Sequence, residues 1–204
     1  MPAPSIKSRP VYPGLRITPA RRHLFVLEGE GALAFSQCIN ESIGAGGGTC
    51  PAAADILYVA GASQPRSHAD MLRQLGPRDL WQAPSVPTLL NRFRAMLSSA
   101  TMGTKLYIAG TEGFIGQAMQ VAMDFGVDPA SICTEHRGSL ARRVQCVHCK
   151  GITEAVTTSP YTCAHCGLAL FVRDHYSRRI GAFQGVNIDA EAPGEIPPRE
   201  ERYP

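Results

Sequence analysis

The sequence predicts an α/β protein in which a parallel sheet with helices on both faces is followed by a small β-rich module. Apolar runs alternate with amphipathic segments throughout residues 21–138, which is the pattern of repeated strand–helix units. Two C-x-x-C pairs then follow between residues 146 and 166. The expected organisation is an extended arm at 1–20, the α/β domain at 21–138, a cysteine-bearing module at 139–181 and an extended tail at 182–204.

Five short segments of the α/β region are predicted strands, because each is rich in apolar or β-branched residues and lies near turn residues. They are residues 23–28, 55–61, 79–84, 105–110 and 131–138. The run DILYVAG at 55–61 is almost wholly apolar, which is typical of a strand covered on both faces of a parallel sheet. Strands that alternate with helices in this way predict right-handed crossover connections.

Four amphipathic segments between these strands are predicted helices, at residues 32–42, 68–76, 85–100 and 111–126. In the last of them, apolar side chains recur at helical spacing from Phe114 to Phe125. Gly126 can adopt the left-handed conformation that ends a helix, and Pro129 prevents its continuation. The run GAGGGT at 44–49 predicts a flexible connection between the first helix and the second strand.

The composition is that of an ordinary folded protein with a modest positive charge. At 204 residues, of which 44% are hydrophobic and 18% charged, the chain is long enough to bury a core. No apolar run approaches the ~20 residues of a membrane-spanning helix, and the first fifteen residues lack the apolar stretch of a secretion signal. We therefore expect a reducing cytoplasm, where the seven cysteines favour metal binding over disulfides. The net charge of +3 without a dense basic stripe disfavours nucleic-acid binding.

Four cysteines stand at the spacing of a zinc ribbon: Cys146, Cys149, Cys163 and Cys166. Each C-x-x-C turn can present two sulfurs to one metal, and two turns complete a tetrahedron of thiolates. The intervening residues 152–162 are rich in β-branched side chains and predict a hairpin, and residues 168–172 predict a further strand. We expect the zinc to be structural, because four thiolates leave no open position for catalysis and so short a module cannot bury enough apolar surface alone.

Iron in a Cys₄ electron-transfer site is the main alternative to zinc. The proline that usually follows the first cysteine of a rubredoxin knuckle is replaced here by Val147 and Ala164. His148 and His165 could each replace a thiolate, but we expect both at knuckle tips that face solvent or a partner. The remaining cysteines have no partners at metal-ligand spacing, so we interpret Cys38, Cys50 and Cys133 as ordinary buried thiols.

The α/β region resembles the nicotinamide-binding domain of ferredoxin reductase-type flavoproteins. The run LYIAGTEGFIGQAMQVAMDFGVDPASICTEHRG is similar to that domain's closing segment, and HLFVLEGEGALAFSQCIN is similar to its opening strand, turn and helix. The resemblance implies a Rossmann-like fold. The family's Cys-Gly-Pro stands here as Ala109-Gly110-Thr111, and Glu28 and Glu30 flank Gly29 where a pyrophosphate would approach. We therefore predict a scaffold that has kept the fold without the cofactor, with nicotinamide binding as the alternative.

Two polar clusters are candidate contact sites. Glu135, His136 and Arg137 lie at the end of the last predicted strand, at the edge where an open α/β sheet binds ligands. They could contact a phosphate or an acidic partner, or they could form a polar junction before the ribbon. The run RDHYSRR brings together Arg173, Tyr176, Arg178 and Arg179, a composition typical of interface anchors and equally of a solvated strand end.

The complete order of segments resembles the small (DmmA-type) subunit of dimethylamine, or secondary-amine, monooxygenase. Its most specific parts are TEHRGSLARRVQCVHCKG, CAHCGLALFV, RDHYSRRIGAFQGV and the acidic, proline-rich end. The resemblance implies a cytoplasmic complex that converts dimethylamine to methylamine and formaldehyde with NADPH and dioxygen. It also implies a haem-bearing catalytic partner and a reductase partner with FMN and a 2Fe-2S cluster.

No catalytic constellation is evident in this chain, and the G-x-S-x-G pattern of a nucleophile elbow is absent from the sequence. We therefore predict a non-catalytic structural or assembly subunit, with no catalytic and no cofactor-binding residues of its own. The alternatives are a nicotinamide-binding or Cys₄-iron electron-transfer component and, less favoured by the charge, a nucleic-acid-binding zinc ribbon.

Overall fold

The computed structural model describes residues 8–44, 53–61 and 67–204, and it divides the chain into two compact units. The first, which we call the sheet unit, is Tyr12–Gly138. The second, which we call the ribbon unit, contains Ser139–Pro204 together with the described residues 8–11. Among the described residues, no helix has the length and apolar character needed to cross a bilayer.

The sheet unit is built on five parallel strands in the order β3-β2-β1-β4-β5. The strands are β1 (Arg22–Glu28), β2 (Ala54–Val59), β3 (Asp79–Ala83), β4 (Thr104–Gly110) and β5 (Cys133–His136). This arrangement confirms the predicted α/β class. The chain order reverses direction between β1 and β4, which makes their carboxyl ends the position where doubly wound sheets form a ligand crevice.

Four helices cover the two faces of this sheet: α1 (Gly31–Gly44), α2 (Ala69–Gln74), α3 (Val86–Ser98) and α4 (Glu112–Asp124). Successive side chains of a strand point to opposite faces, so each inner strand contributes to two cores. Leu24 and Val26 of β1 pack in the core under α3 and α4, whereas Phe25 and Leu27 pack in the core under α1 and α2. The burial of β2 at every position follows from this double cover.

The structure corrects the predicted end of the α4 apolar face. The helix ends at Asp124, and Phe125 is the residue that follows it, with 43% of its surface exposed. Gly126 adopts the left-handed conformation expected of a terminating glycine, with φ of 76°. Helical spacing is lost at that point, so Phe125 turns away from the core. The flexible connection predicted at 44–49 lies, apart from Gly44, outside the described residues.

The described part of the predicted arm, residues 8–20, contains no helix or strand, but it lies along the chain's own elements. Within the sheet unit, the Gly14 N–H donates to the Thr134 carbonyl oxygen at 3.1 Å, and Leu15 is buried. Within the ribbon unit, the Ser8 N–H donates to the Asp174 carbonyl oxygen at 3.1 Å. Each of these contacts lies within one unit, so the described part of the arm packs on the chain's own elements.

The ribbon unit contains a mixed five-stranded sheet in the order β7-β6-β11-β10-β9 and a two-stranded pair, β12-β8. Its strands are β6 (Arg142–Cys146), β7 (Ile152–Val156), β8 (Thr158–Ser159), β9 (Tyr161–Thr162), β10 (Ala169–Ser177), β11 (Ala182–Asn187) and β12 (Glu200–Glu201). β11 is parallel to β6 and antiparallel to β10. The predicted hairpin within residues 152–162 is wrong, because β7 pairs with β6, β8 with β12 and β9 with β10. The strand predicted at 168–172 is present as the first part of β10.

The start of the predicted tail is wrong, because Ala182–Asn187 forms β11 in the middle of the ribbon sheet. Phe183 is 1% exposed and packs in the ribbon core. Gly185 lies so close to β6 that an added Cβ would stand 3.0 Å from a Val144 methyl group. A six-residue strand with a glycine in it has a weak sequence signal, and only its tertiary neighbours require it to be a strand.

Candidate metal centre

The two C-x-x-C turns of the ribbon unit adopt the same backbone geometry. In the first turn, the Cys146 N–H donates to the Gly151 carbonyl oxygen, and the Lys150 N–H donates to the Cys146 carbonyl oxygen. In the second turn, the Cys163 N–H donates to the Leu168 carbonyl oxygen, and the Gly167 N–H donates to the Cys163 carbonyl oxygen. The repeated bonds fix both cysteine pairs in one orientation relative to their strands.

The equivalent position of each turn has a left-handed backbone. Gly167 has φ of 76°, a conformation that glycine adopts without a steric penalty. Lys150 occupies the same position of the first turn with φ of 63°, and its Nζ donates to the Val147 carbonyl oxygen at 2.6 Å. A non-glycine residue in this region is uncommon and costs free energy, so the turn is imposed by the surrounding structure.

The four sulfurs lie where one tetrahedral metal would hold them. The Sγ atoms of Cys146, Cys149, Cys163 and Cys166 all lie within 4.8 Å of one another. The Cys146–Cys166 and Cys149–Cys163 Sγ pairs are each 3.8 Å apart. Four sulfurs at ~2.3 Å from a tetrahedral zinc have edges of about 3.8 Å, so the cluster fits such an ion. The same tetrahedral S₄ geometry also suits iron.

The environment of the Cys163 sulfur favours the thiolate form that binds metal, whereas that of Cys166 favours the thiol in the absence of a metal. Cys146 and Cys163 are buried in the ribbon core, whereas Cys149 and Cys166 are half-buried at its edge. Although burial raises the pKa of the Cys163 thiol, hydrogen bonds from the backbone N–H groups of Cys166 and His165 lower it to about 7. A hydrogen bond from the Leu168 N–H lowers the pKa of Cys166, but desolvation and the three neighbouring cysteine sulfurs raise it to about 12. Backbone donors aimed at sulfur stabilise the negative charge that a metal-bound thiolate carries.

His148 and His165 are both exposed, as the sequence predicts, but His165 has an additional role. Its Nε2 lies 2.8 Å from the Ile152 carbonyl oxygen, and its ring lies against Gly151. An added Cβ on Gly151 would stand 2.4 Å from the His165 ring, so only glycine permits this contact. The second knuckle is thereby linked to the strand that follows the first, a role that sequence reasoning missed.

The remaining cysteines lie in different environments. Cys38 is buried in α1, as predicted, and burial raises the pKa of its thiol. Cys133 is only half-buried in β5, where its Sγ lies 3.7 Å from the Arg16 carbonyl oxygen, so its prediction as a buried thiol was wrong. An edge strand leaves such a side chain partly open to solvent. Cys50 lies outside the described residues.

The crevice between the carboxyl ends of β1 and β4 contains a carboxylate from the chain itself. One Glu28 oxygen accepts hydrogen bonds from the Thr111 backbone N–H at 3.0 Å and the Thr111 hydroxyl at 2.6 Å. Thr111 is the N-cap of α4, so Glu28 stands at the helix terminus that would face a phosphate. Gly110 permits this approach, because an added Cβ would stand 2.8 Å from the Glu28 Cβ.

Gly31 plays a similar part for α1. An added Cβ on Gly31 would stand 2.2 Å from the Ala109 carbonyl oxygen, so the amino end of α1 lies directly against the backbone of β4. The Gly29-Glu30-Gly31 turn therefore serves the close packing of helix and strand. In this chain the glycine pattern is explained by packing without any ligand.

The residues of the predicted polar cluster at the end of β5 make contacts within the sheet unit. The Glu135 carboxylate accepts hydrogen bonds from the Leu15 N–H at 2.8 Å and from Arg137 Nε at 2.7 Å. Arg137 also donates to the Gln37 side-chain oxygen at 2.8 Å. The His136 ring lies 6.0 Å from that of Tyr12. These contacts favour the polar-junction interpretation over a phosphate site.

The predicted contact cluster on β10 is divided by the structure. Arg173, Arg178 and Arg179 are exposed, whereas Tyr176 is half-buried with its ring against Phe183 at 5.1 Å between centroids. Tyr176 is therefore part of the ribbon packing rather than an exposed anchor. The arginines stay a candidate contact surface.

A parallel α/β unit joined to a ribbon with four convergent cysteines defines a two-unit chain with a metal-binding module. The chain belongs to the dimethylamine monooxygenase subunit DmmA-like family, whose N-terminal domain matches residues 4–132 and whose C-terminal domain matches residues 143–186. The heme-dependent oxidative N-demethylase delta subunit of Ectopseudomonas mendocina (strain ymp) is 35% identical over 153 residues, covering 72% of this chain and 87% of that protein.

Among solved structures, the chain is similar to the ferredoxin reductase in carbazole 1,9a-dioxygenase, with a TM-score of 0.41 and 16% identity over 60% of this chain and 34% of that one. It is also similar to the FAD/NAD-binding domain of nitric oxide dioxygenase from Vibrio cholerae O1 biovar El Tor, with a TM-score of 0.41 and 16% identity over 60% of this chain and 53% of that one. The chain spans about a third and about half of these two structures. Similarities of this size support no inference about ligands or activity.

Proposed function

We propose that this chain is a non-catalytic assembly subunit of a haem- and flavin-dependent dimethylamine monooxygenase complex, and that a structural zinc ion stabilises its ribbon unit. Membership of the DmmA-like family across both units carries this proposal. In the complex, partner subunits would contain the haem, FMN and 2Fe-2S groups and would convert dimethylamine to methylamine and formaldehyde with NADPH and dioxygen. The expected location is the cytoplasm.

The metal would be held by Cys146, Cys149, Cys163 and Cys166 and would serve stability rather than catalysis. Four thiolates complete the tetrahedron of a structural zinc and leave no position for water or substrate. When bound, the ion supplies only cross-links between the two knuckles. The protein's own part is to fix the sulfurs through the paired backbone bonds at Cys146 and Cys163 and to exclude water with the ribbon core.

The Glu28 carboxylate favours a scaffold over a nicotinamide-binding component. A dinucleotide pyrophosphate at the amino end of α4 would need the Thr111 N–H that Glu28 already occupies. It would also meet the carboxylate charge at close range, which is unfavourable in a partly desolvated crevice. Glu28 therefore takes the position that a bound anion would need.

Purification of the tagged chain from its native cell tests the proposed function. We expect it to co-elute with a haem protein and an iron–sulfur flavoprotein. We expect the co-eluting proteins together to consume NADPH when dimethylamine is added. Elemental analysis of the isolated chain should find zinc in a 1:1 ratio and no iron. Elution of the chain alone would contradict the assembly role, and a red, iron-containing chain would favour electron transfer.

Glu28→Gln is expected to weaken the sheet unit without creating a nicotinamide site. The amide loses the charge-assisted bonds to Thr111, at a cost of about 1–3 kcal/mol in the free energy of unfolding. Asp124→Asn is the matched control, because this exposed carboxylate lies at the other end of α4 and its loss should change stability by under about 0.5 kcal/mol.

Denaturant unfolding measures the stability of both variants, and NADPH fluorescence measures binding. We expect no saturable micromolar NADPH binding by the wild-type chain or by either variant. Saturable binding by the wild-type chain, weakened when Glu28 is changed, would contradict the scaffold role.

A further inference from the structure

A polar pocket lies where β1, β2 and β3 begin. It is at the opposite end of the sheet from the crevice between the carboxyl ends of β1 and β4. Its volume is about 330 Å³, and its other wall is the carboxyl-terminal half of α3. Three arginines and two aspartates line it: Arg22, Arg78, Arg92, Asp55 and Asp79. The size is at the lower end of the range for small-molecule pockets. Neither the family match nor the metal centre accounts for this cluster.

Asp55 positions two of the arginines on one wall of the pocket. Its side chain is 4% exposed, and one of its oxygens accepts a hydrogen bond from Arg22 Nε at 2.8 Å. The other oxygen accepts from Arg78 Nε at 2.8 Å, and a terminal nitrogen of Arg78 makes a further contact. Burial raises the pKa of Asp55, but the hydrogen bonds from Arg78 and Arg22 outweigh it, so the pKa is lowered and the carboxylate stays ionised.

These bonds leave donors for a second acceptor. A guanidinium group has five N–H donors, and Asp55 takes only the Nε–H of Arg22 and one edge of Arg78. The side chains of Arg22 and Arg78 are 25% and 49% exposed, so a solute in the pocket can reach them. Both guanidinium planes are fixed by the buried carboxylate and need little ordering on binding.

Arg92 supplies a third cation from α3. Its guanidinium carbon lies 5.9 Å from the centroid of the Trp81 ring, a cation–π distance that restrains the side chain beside the pocket. Three guanidinium groups against two carboxylates leave a formal charge of +1 in the pocket. Asp55 is hydrogen-bonded to two of the arginines, and the charge of Asp79 also acts on Arg78.

We propose that this pocket binds a small oxyanion, a phosphate or carboxylate group, between the guanidinium groups of Arg22, Arg78 and Arg92. Planar guanidinium forks match the oxygens of both groups and bind them through paired, charge-assisted hydrogen bonds. The carboxylate of Asp79 limits the site to anions of low charge. The proposal concerns the sheet unit alone and is independent of the proposed assembly role.

Titration with inorganic phosphate tests the site. The full chain is followed by ³¹P NMR and calorimetry at constant ionic strength, with sodium chloride as the balancing salt, and acetate is titrated separately. We expect saturable binding with a Kd of about 1 mM for at least one of the two anions. Preference for phosphate or for acetate identifies the group that the site recognises. If sodium chloride alone reproduces the NMR or calorimetric changes, those changes reflect general screening of charge, and the proposal is overturned.

Arg92→Gln and Arg94→Gln form the matched pair. Both residues are exposed on α3, but only Arg92 lines the pocket, so neither change threatens the fold. Loss of one charge-assisted contact should raise the Kd about tenfold in Arg92→Gln, and Arg94→Gln should leave it within about twofold. Equal effects of the two substitutions, or none from either, would overturn the proposal.

Discussion

Removal of the metal is expected to unfold the ribbon unit and to leave the sheet unit folded. Binding of zinc contributes roughly 10–16 kcal/mol of apparent stability in small zinc-finger peptides, more than a module of this size gains from its own apolar core. Here the four sulfurs connect the end of β6 to the segment between β9 and β10. Without the ion, four thiols that lie within 4.8 Å of one another no longer have a common ligand.

Hydrogen exchange with mass spectrometry measures this effect, with a strong zinc chelator or with the Cys163→Ser variant. Peptides from β6, β10 and β11 should lose protection, whereas peptides from β1 and β4 should keep it. Cys133→Ser is the matched control, since Cys133 is a half-buried cysteine of the sheet unit and should leave exchange in the ribbon unchanged. Restored protection on adding zinc to the chelated protein is expected. A ribbon that stays protected without metal would contradict a structural role.

The sheet unit could be predicted from the sequence because its signals are local. A fully buried parallel strand such as β2 is a short apolar run, and α4 shows helical spacing that ends at a glycine. The cysteine spacing likewise fixes its own geometry, because a C-x-x-C turn already brings two sulfurs together. These features depend on neighbours within a few residues.

The contacts that occupy the crevice between the carboxyl ends of β1 and β4 could be predicted only in part. The charges of Glu28 and Glu30 indicate that a pyrophosphate is disfavoured. The bond from Thr111 to Glu28 joins residues 83 positions apart and exists only because β1 and β4 are neighbours in the sheet. The burial of Leu15, whose N–H donates to Glu135 of β5, has no local signal either, because a proline-rich segment shows no periodicity.

The carboxyl-terminal segment shows the same limit in the ribbon unit. Glu200–Glu201 pairs with Thr158–Ser159, and the N–H groups of Arg202 and Tyr203 donate to the Thr157 carbonyl oxygen. The acidic, proline-rich end of the sequence predicts an extended tail, because nothing in its own residues predicts a strand. A buried side chain from β6, Arg142, also contacts this segment through the Tyr203 ring.

Arg142→Met is expected to release this segment and to lower the stability of the ribbon unit by about 2–3 kcal/mol, because it removes a charge-assisted hydrogen bond to Asp174, whose side chain is 39% exposed, and the cation–π contacts of a buried guanidinium. The Arg142 side chain is 3% exposed, and its Nη2 donates to Asp174 at 2.7 Å. Its guanidinium carbon lies 4.0 Å from the ring centroids of both Phe183 and Tyr203. A desolvated cation between two aromatic rings gains about 2 kcal/mol or more from such contacts. Methionine fills much of the same volume but provides neither the charge nor the donors.

Arg143→Met is the matched control on the same strand, because its guanidinium pairs with Glu154 and donates to the Ile180 carbonyl oxygen at 2.8 Å, and neither partner belongs to the carboxyl-terminal segment. Arg142→Met should accelerate amide exchange at Arg202 and Tyr203 and should speed tryptic cleavage after Arg199, whereas Arg143→Met should change neither by much. If Arg142→Met leaves both readouts at wild-type rates, the strand pairing of Glu200–Glu201 alone retains the segment. Since the cation contacts one ring from β11 and one from the carboxyl-terminal segment, we expect both readouts to change together.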